Sequence, residues 1–290
     1  MLPLLAQASS AYWPLPVAAA AVGVACAALS PIVVARRWAF VGEGVSHSGY
    51  GGAGFIWLLS LLLPSVGFLR TGGGVTVGVA LFSLGTALAI GKLTRDRRLG
   101  FLGFDAAVGI VLTASLAFGF LARSIYETRT STLPVESHSL LFGDVRSVDP
   151  ARAVLTLLVA VSVLAGLWLC AKEALSYAFD PELAQVGGVP AGAVHYGLLS
   201  SIAGVVVVGA PLVGVVLVTA LLVLPGATGA LAGGGLRRVY AVSLAAALVA
   251  VMAAVSVAGL VEGLPLGPLI VLALVIEFSI AAAVARAGRG

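Results

Sequence analysis

Ala39-Phe40-Val41-Gly42-Glu43-Gly44-Val45-Ser46-His47-Ser48-Gly49-Tyr50-Gly51-Gly52-Ala53-Gly54-Phe55-Ile56-Trp57-Leu58-Leu59-Ser60-Leu61-Leu62-Leu63 contains one charged side chain, Glu43, and one imidazole, His47. A helix needs roughly 20 mostly apolar residues to cross the hydrocarbon of a bilayer, and this run is long enough. An ionisable group at membrane depth costs about 2.5–3.5 kcal/mol for Asp, Lys or Arg, so one that persists faces a pathway or a partner. Glu43 and His47 are four apart, which puts carboxylate and imidazole on one helical face. Such a pair either stabilises helix packing by a hydrogen bond or offers an oxygen and a nitrogen to a divalent transition metal. The glycines at 42, 44, 49, 51, 52 and 54 permit close approach of neighbouring helices and also make the segment easy to bend or unwind.

Working outward, the same length rule predicts spans near 17–35, 75–91, 104–122, 152–171, 194–210, 212–231, 239–260 and 267–285 in addition to 39–63. The whole chain agrees: 60% of its 290 residues are hydrophobic and 10% charged, with a mean hydropathy of +1.14. That composition excludes a soluble globular domain. The expected fold is an all-α integral membrane protein, a polytopic helical bundle of about 8–9 transmembrane helices, forming one domain over residues 1–290. Two junctions decide the count. Pro211 is the expected break between the sixth and seventh spans, and Leu264-Pro265-Leu266-Gly267-Pro268 begins either a full span or a partial helix.

Alternating the connections places Arg36, Arg37, Lys92, Arg95, Arg97, Arg98, Lys172, Arg237, Arg238, Arg286 and Arg289 on one side, 11 of the 16 basic residues. The positive-inside rule names that side cytoplasmic. The N-terminus is then outside, with a long external loop around 123–150 and a cytoplasmic segment around 172–193. The net charge of +4 expresses this bias and not nucleic-acid binding. The opening residues lack the basic start of a signal peptide, and Tyr12 and Trp13 read as interfacial.

The other polar groups have plainer readings. Cys26 and Cys170 show neither zinc spacing nor a disulfide framework and read as small core residues. His195 opens the sixth span as an interfacial residue or a ligand. Glu277 is expected to make a helix–helix hydrogen bond, and His138 is expected in the solvated external loop. On the cytoplasmic side, 178–190 reads as one short helix capped by Asp180, with Pro181 in its first turn and Gly187-Gly188 at its end. Phe179 and Leu183 give it an apolar surface for a soluble subunit. The sequence has no G-x-x-x-x-G-K-[ST] loop, H-E-x-x-H or G-x-S-x-G motif, so ATP hydrolysis, metalloprotease and acyl hydrolase chemistry lack their minimum equipment.

Six segments, in order, resemble the permease subunits of bacterial ABC importers for zinc, manganese or iron. Arg36-Arg37-Trp38-Ala39-Phe40-Val41-Gly42-Glu43-Gly44-Val45-Ser46-His47 is similar to that family's R-R-x-A-x-x-G-D-A-x-S-H. Phe104-Asp105-Ala106-Ala107-Val108-Gly109-Ile110 resembles its D-x-A-I-G-I. Leu140-Leu141-Phe142-Gly143-Asp144-Val145 resembles its L-F-G-x-I, and Phe179-Asp180-Pro181-Glu182-Leu183-Ala184 its coupling segment. Val213-Gly214-Val215-Val216-Leu217-Val218 with Leu222-Val223-Leu224-Pro225-Gly226-Ala227-Thr228, and the turn Leu264-Pro265-Leu266-Gly267-Pro268, complete the series.

The resemblance implies a multi-pass protein of a bacterial inner membrane that moves a divalent metal ion as substrate and binds no permanent cofactor. It implies three partners: an ATP-binding cassette ATPase, an extracytoplasmic metal-binding protein, and a second permease chain that is identical or paralogous. By the same resemblance Glu43, His47 and His195 line the ion route, Glu43 and His47 coordinate the metal transiently, and Phe179, Asp180, Pro181, Glu182 and Leu183 couple to the ATPase. The chain departs from the pattern where the family's Asp is Glu43 and where the Pro of its Pro-Gly pair is Gly51. Three other readings remain open: an ABC permease for a metal chelate or other small solute; an ion-coupled secondary transporter, which needs a pair of broken repeat helices; and a purely structural membrane subunit, because polar pairs also stabilise helix packing.

Overall fold

The structure is a computed structural model and describes residues 14–95, 103–132, 150–260, 264 and 266–287. Tyr12, Trp13, His138 and the 140–145 segment lie outside the described residues. Among the described residues there are eleven α-helices: α1 (Pro14–Ala35), α2 (Val41–Leu62), α3 (Gly72–Arg95), α4 (Phe104–Thr130), α5 (Pro150–Leu169), α6 (Ala171–Phe179), α7 (Pro181–Val186), α8 (Ala191–Val213), α9 (Val215–Leu231), α10 (Leu236–Leu260) and α11 (Leu266–Ala287). A short 3₁₀ turn, Gly67–Arg70, links α2 to α3. Seven of these helices are long and apolar enough to span a membrane, and α9 is a shorter apolar helix. With α2, which carries the polar pair, they correspond one to one with the nine stretches read from the sequence.

The core centres on α1 and α9, which pack against each other with α5, α10 and α11 around them, while α2 packs chiefly on α3 and α4 and touches α9 along one side. α1 is the most enclosed span, with Ala18, Val22, Ala25, Cys26, Leu29 and Val33 all buried. Its Ser30 hydroxyl accepts a 2.7 Å hydrogen bond from the Gly226 amide of α9. A Cβ at Gly226 would stand 2.5 Å from the Ser30 carbonyl carbon, so only glycine lets the two backbones come this close. On the other side, α2 lies against α3 and α4 through its glycines. A Cβ at Gly54 would lie 3.0 Å from the Gly119 Cα, and one at Gly51 would lie 2.9 Å from the Ser115 carbonyl.

The glycines of α2 therefore serve packing, and the helix runs unbroken from Val41 to Leu62 instead of unwinding. Lipid cannot hydrogen-bond a freed backbone group, and with close neighbours on two sides the helix has no room to open. The turn between α8 and α9 falls at Gly214 and not at Pro211, which remains inside α8. Gly214 has φ +90°, the region that glycine enters without penalty, and Gly209 then sits against Val218 as the chain doubles back. α11 is a full 22-residue helix, which settles the Leu264–Pro268 alternative.

The short helix expected over 178–190 is α7, capped by Asp180, whose backbone is extended (φ −148°, ψ 102°) to present its side chain; the helix before it, α6, was not expected. Two smaller expectations are corrected. Cys26 is buried but Cys170 is exposed, since it falls at the end of α5 and not inside a span. Glu277 Oε2 is buried with no hydrogen-bond partner among the described residues, so the expected helix–helix bond is not made.

Candidate functional site

The packing of α2 determines what its polar pair can do. Its glycine-rich sides are pressed onto α3 and α4, and the face carrying Glu43 and His47 is left partly open: the His47 and Glu43 side chains are 24% and 35% exposed. Phe55 and Leu62 are also exposed on α2, further along the helix. Two polar side chains left partly open on a membrane-embedded helix mark a place where something other than lipid must lie.

Glu43 is in the first turn of α2, where unpaired backbone amides favour a carboxylate. Its Oε1 is 2.8 Å from His47 Nε2, and its Oε2 accepts a 3.2 Å hydrogen bond from the Thr219 hydroxyl of α9. With Nε2 facing the carboxylate, the ring proton is assigned to Nε2. His47 Nδ1 is buried without a partner among the described residues. Thr219 was not anticipated from the sequence. It follows directly on the Val213–Val218 motif, and only the tertiary approach of α9 to α2, seen also where Gly42 meets Leu222 and Thr219, brings it to the carboxylate.

No group of three or more His, Cys, Asp or Glu side chains close enough to cage a metal occurs among the described residues. One oxygen and one nitrogen donor from a single helix make an incomplete coordination sphere. Such a pair can hold a divalent cation loosely, with the remaining positions filled by water or by groups outside this chain.

His195 is not brought to this pair. It is buried (3% exposed) near the start of α8, in an aromatic cluster at the end of the bundle where α6 and α7 sit. Its Nδ1 and the Tyr177 hydroxyl of α6 share a 2.7 Å hydrogen bond, and its ring meets Trp38 edge-on at 5.3 Å. Trp38 stacks on Phe104, the first residue of α4, with centroids 5.0 Å apart. The Arg36 guanidinium lies 4.8 Å from the centre of the Tyr177 ring. Burial raises the Tyr177 phenol above its ordinary pKa, against the opposing charges of Arg36 and Arg95, so the hydroxyl keeps its proton at neutral pH. An open cavity of about 450 Å³ adjoins the cluster, lined in part by Arg36, Arg95, Tyr177, Glu182, Gln185 and His195.

The predicted coupling segment lies at that same end. Asp180 Oδ1 accepts from the amides of Glu182 and Leu183, both at 2.9 Å, and Pro181 occupies the first position of α7. Gly188, with φ +85°, closes the segment. Phe179, Leu183 and Val186 are 72%, 68% and 86% exposed, three large apolar side chains within eight residues of an end that carries Arg36, Arg95 and Lys172.

An apolar bundle with a carboxylate–imidazole pair on a partly open helix face, and a capped apolar knuckle at its basic end, matches one family throughout. The ABC 3 transport family profile covers residues 13–285. The chain belongs to that family. Among relatives of this ABC 3 member, the "Manganese transport system membrane protein MntC" of Halalkalibacterium halodurans is 30% identical over 211 residues, 73% of this chain and 66% of that protein. The "Chelated iron transport system membrane protein YfeD" of Yersinia pestis is 32% identical over 210 residues, 72% of this chain and 64% of that protein. The matched region thus spans a little under two thirds of these relatives' own length. In fold, the ABC 3 member is similar to a chain of PsaBC from Streptococcus pneumoniae, solved in complex with Fab. The TM-score is 0.72 at 24% identity, over 97% of this chain and 95% of that one.

Proposed function

We propose that this ABC 3 member is the membrane permease subunit of an ATP-binding cassette importer and that its substrate is a divalent transition metal ion. The observation that carries the reading is the Glu43–His47 pair, 2.8 Å apart, on the uncovered face of α2. Manganese and iron are the metals named for the relatives, and the mixed oxygen and nitrogen donors suit either. ATP hydrolysis belongs to a separate subunit docked on Phe179, Leu183 and Val186. A second permease chain, identical or paralogous, covers the α2 face, and an extracytoplasmic binding protein delivers the ion. The chain forms one permease domain in a bacterial inner membrane.

The residues act in sequence. In the outward state the ion enters between the two permeases and exchanges part of its hydration for the Glu43 carboxylate and a His47 nitrogen. Thr219 holds the second carboxylate oxygen in place, so the ligand is oriented before the ion arrives. Binding must remain loose enough for release, and a two-donor set satisfies that condition. Closure of the ATPases on the α6–α7 knuckle then tilts the helices so that the same pair opens inward.

Uptake of manganese, iron and zinc isotopes into proteoliposomes holding the permease, its ATPase and its binding protein tests this. ATP-dependent accumulation of a free ion, lost in Glu43→Gln and His47→Ala variants that still insert, supports the reading. Uptake that is unchanged in both variants removes the pair from the mechanism. The printed name of YfeD, a chelated iron system, favours one second reading, in which the complex and not the free ion is carried. Accumulation only in the presence of a chelator would decide for it.

A further inference from the structure

We infer that Trp38, clamped by Tyr177 and His195, is the positioning residue through which motion of the ATPase-facing knuckle reaches the Glu43–His47 site. The inference rests on the transport reading above for what is moved, and on geometry alone for how.

The connection can be followed atom by atom. The exposed side of α7 is tied to α6 through Asp180, whose carboxylate takes two α7 amides at 2.9 Å while its own amide donates to the Ser176 carbonyl at 3.1 Å. Tyr177 is the next residue of α6. Its hydroxyl is bonded to His195, and its ring lies 6.4 Å from that of Trp38. Trp38 is 1% exposed and is held on three sides, by Phe104 below, His195 edge-on and Tyr177 tilted.

The Trp38 backbone in turn fixes α2. Its carbonyl accepts from the Val41 amide, the first residue of α2, at 3.0 Å, and its amide donates to the Val33 carbonyl of α1 at 2.9 Å. Glu43 is two residues past Val41. A shift of α6 therefore moves an indole that cannot slip within its cage, and the indole is bonded into the turn that starts the metal-site helix. Packed interiors transmit displacement because they are dense and have few alternative arrangements, and chains of packed side chains carry coupling between distant sites. The unanticipated location of His195 is thereby explained. It positions Trp38 and Tyr177 and does not touch the ion.

The experiment uses the permease–ATPase complex in proteoliposomes. Phe55→Cys, at an exposed position of α2 beyond the Glu43–His47 pair, is placed in a Cys170→Ser background, and its maleimide labelling is followed with and without ATP and vanadate. ATP hydrolysis and metal uptake are measured on the same vesicles. In Trp38→Ala the nucleotide-dependent change in labelling is lost, hydrolysis stays within about twofold of the parent, and uptake per ATP falls roughly 5-fold or more, the lower edge of typical coupling between sites. Trp38→Phe restores part of the ratio. Tyr177→Phe, which keeps the ring and removes only the hydroxyl, lowers the ratio in the same direction and serves if the alanine variant fails to assemble. An intact labelling change in Trp38→Ala overturns the inference, as does loss of hydrolysis in parallel with uptake, which would place Trp38 in ATPase docking instead. Labelling that responds to ATP in the parent without any metal uptake would refute the substrate and leave the relay standing.

Discussion

Thr219 Oγ1 lies 3.2 Å from Glu43 Oε2, 176 positions away in the chain, and 3.1 Å from the Val215 carbonyl of its own helix, so its one proton is shared between carboxylate and carbonyl. The carboxylate is thus divided: one oxygen faces His47 on its own helix and the other is fixed by α9. Groups that orient a metal ligand typically matter by about 10–100-fold in affinity or activity. Thr219→Val, which keeps the shape and removes the donor, is expected to reduce metal uptake by about tenfold or more with membrane insertion unchanged. Thr219→Ser should retain most of it. Initial uptake rates in vesicles, normalised to permease content, check both.

The glycines of α2 make a separate prediction about stability. A Cβ at Gly52 would lie 2.7 Å from the Phe82 Cβ, 2.8 Å from the Gly78 carbonyl and 3.0 Å from the Val79 Cα. Two of these three neighbours are backbone atoms, so the helices themselves must part. Overpacking of this kind costs about 1–3 kcal/mol, and Gly52→Ala is expected to lower the thermal unfolding temperature in detergent. Gly197→Ala, where nothing lies within 4 Å, should be neutral or slightly stabilising because alanine favours the helix. A comparison of the two melting curves separates packing from propensity.

These two sites show what the sequence carries and what it does not. The nine helices were legible, seven of them long and apolar enough to span a membrane, because in lipid a helix must be apolar along its length and the signal is strong. The Glu43–His47 pair was legible because both residues belong to one helix, where spacing alone fixes their common face. Thr219 was not, since its role depends on the angle at which α9 meets α2. His195 shows the same limit from the other direction: as a lone histidine at the edge of a span it reads first as interfacial and second as a ligand, and only tertiary packing brings it to Tyr177 and Trp38. Asp180 was legible as a cap and α7 as the helix it starts, because cap, proline and glycines are local signals, whereas the amphipathic α6 before it was not.

Ser30 is the anchor between α1 and α9. Its hydroxyl accepts from the Gly226 amide at 2.7 Å and donates to the Val223 carbonyl at 3.3 Å, just where Pro225 interrupts the α9 hydrogen-bond ladder. Ser30→Ala removes the partner of a buried amide, and a buried donor left unsatisfied costs about 1–3 kcal/mol. The variant should melt at lower temperature without losing the fold. Gly226→Ala, which forces α1 and α9 apart, should be the more severe of the two.

The α6–α7 knuckle makes a prediction that separates its shape from its surface. Asp180→Ala removes two amide hydrogen bonds at the start of α7, and loss of such a cap costs about 0.5–2 kcal/mol of local helix stability. Asp180→Asn keeps an acceptor and should be tolerated. Leu183→Asp and Val186→Asp leave the cap intact but put charge into an exposed apolar surface. If that surface is where an ATPase subunit docks, the two aspartate variants lose copurification of the ATPase while the permease itself extracts and melts like the parent. Asp180→Ala then shows weakened copurification because the surface is present but not held. Retention of the ATPase by both aspartate variants would move the docking site away from α7, because a desolvated carboxylate at the centre of an apolar contact is among the most disruptive single changes an interface can receive.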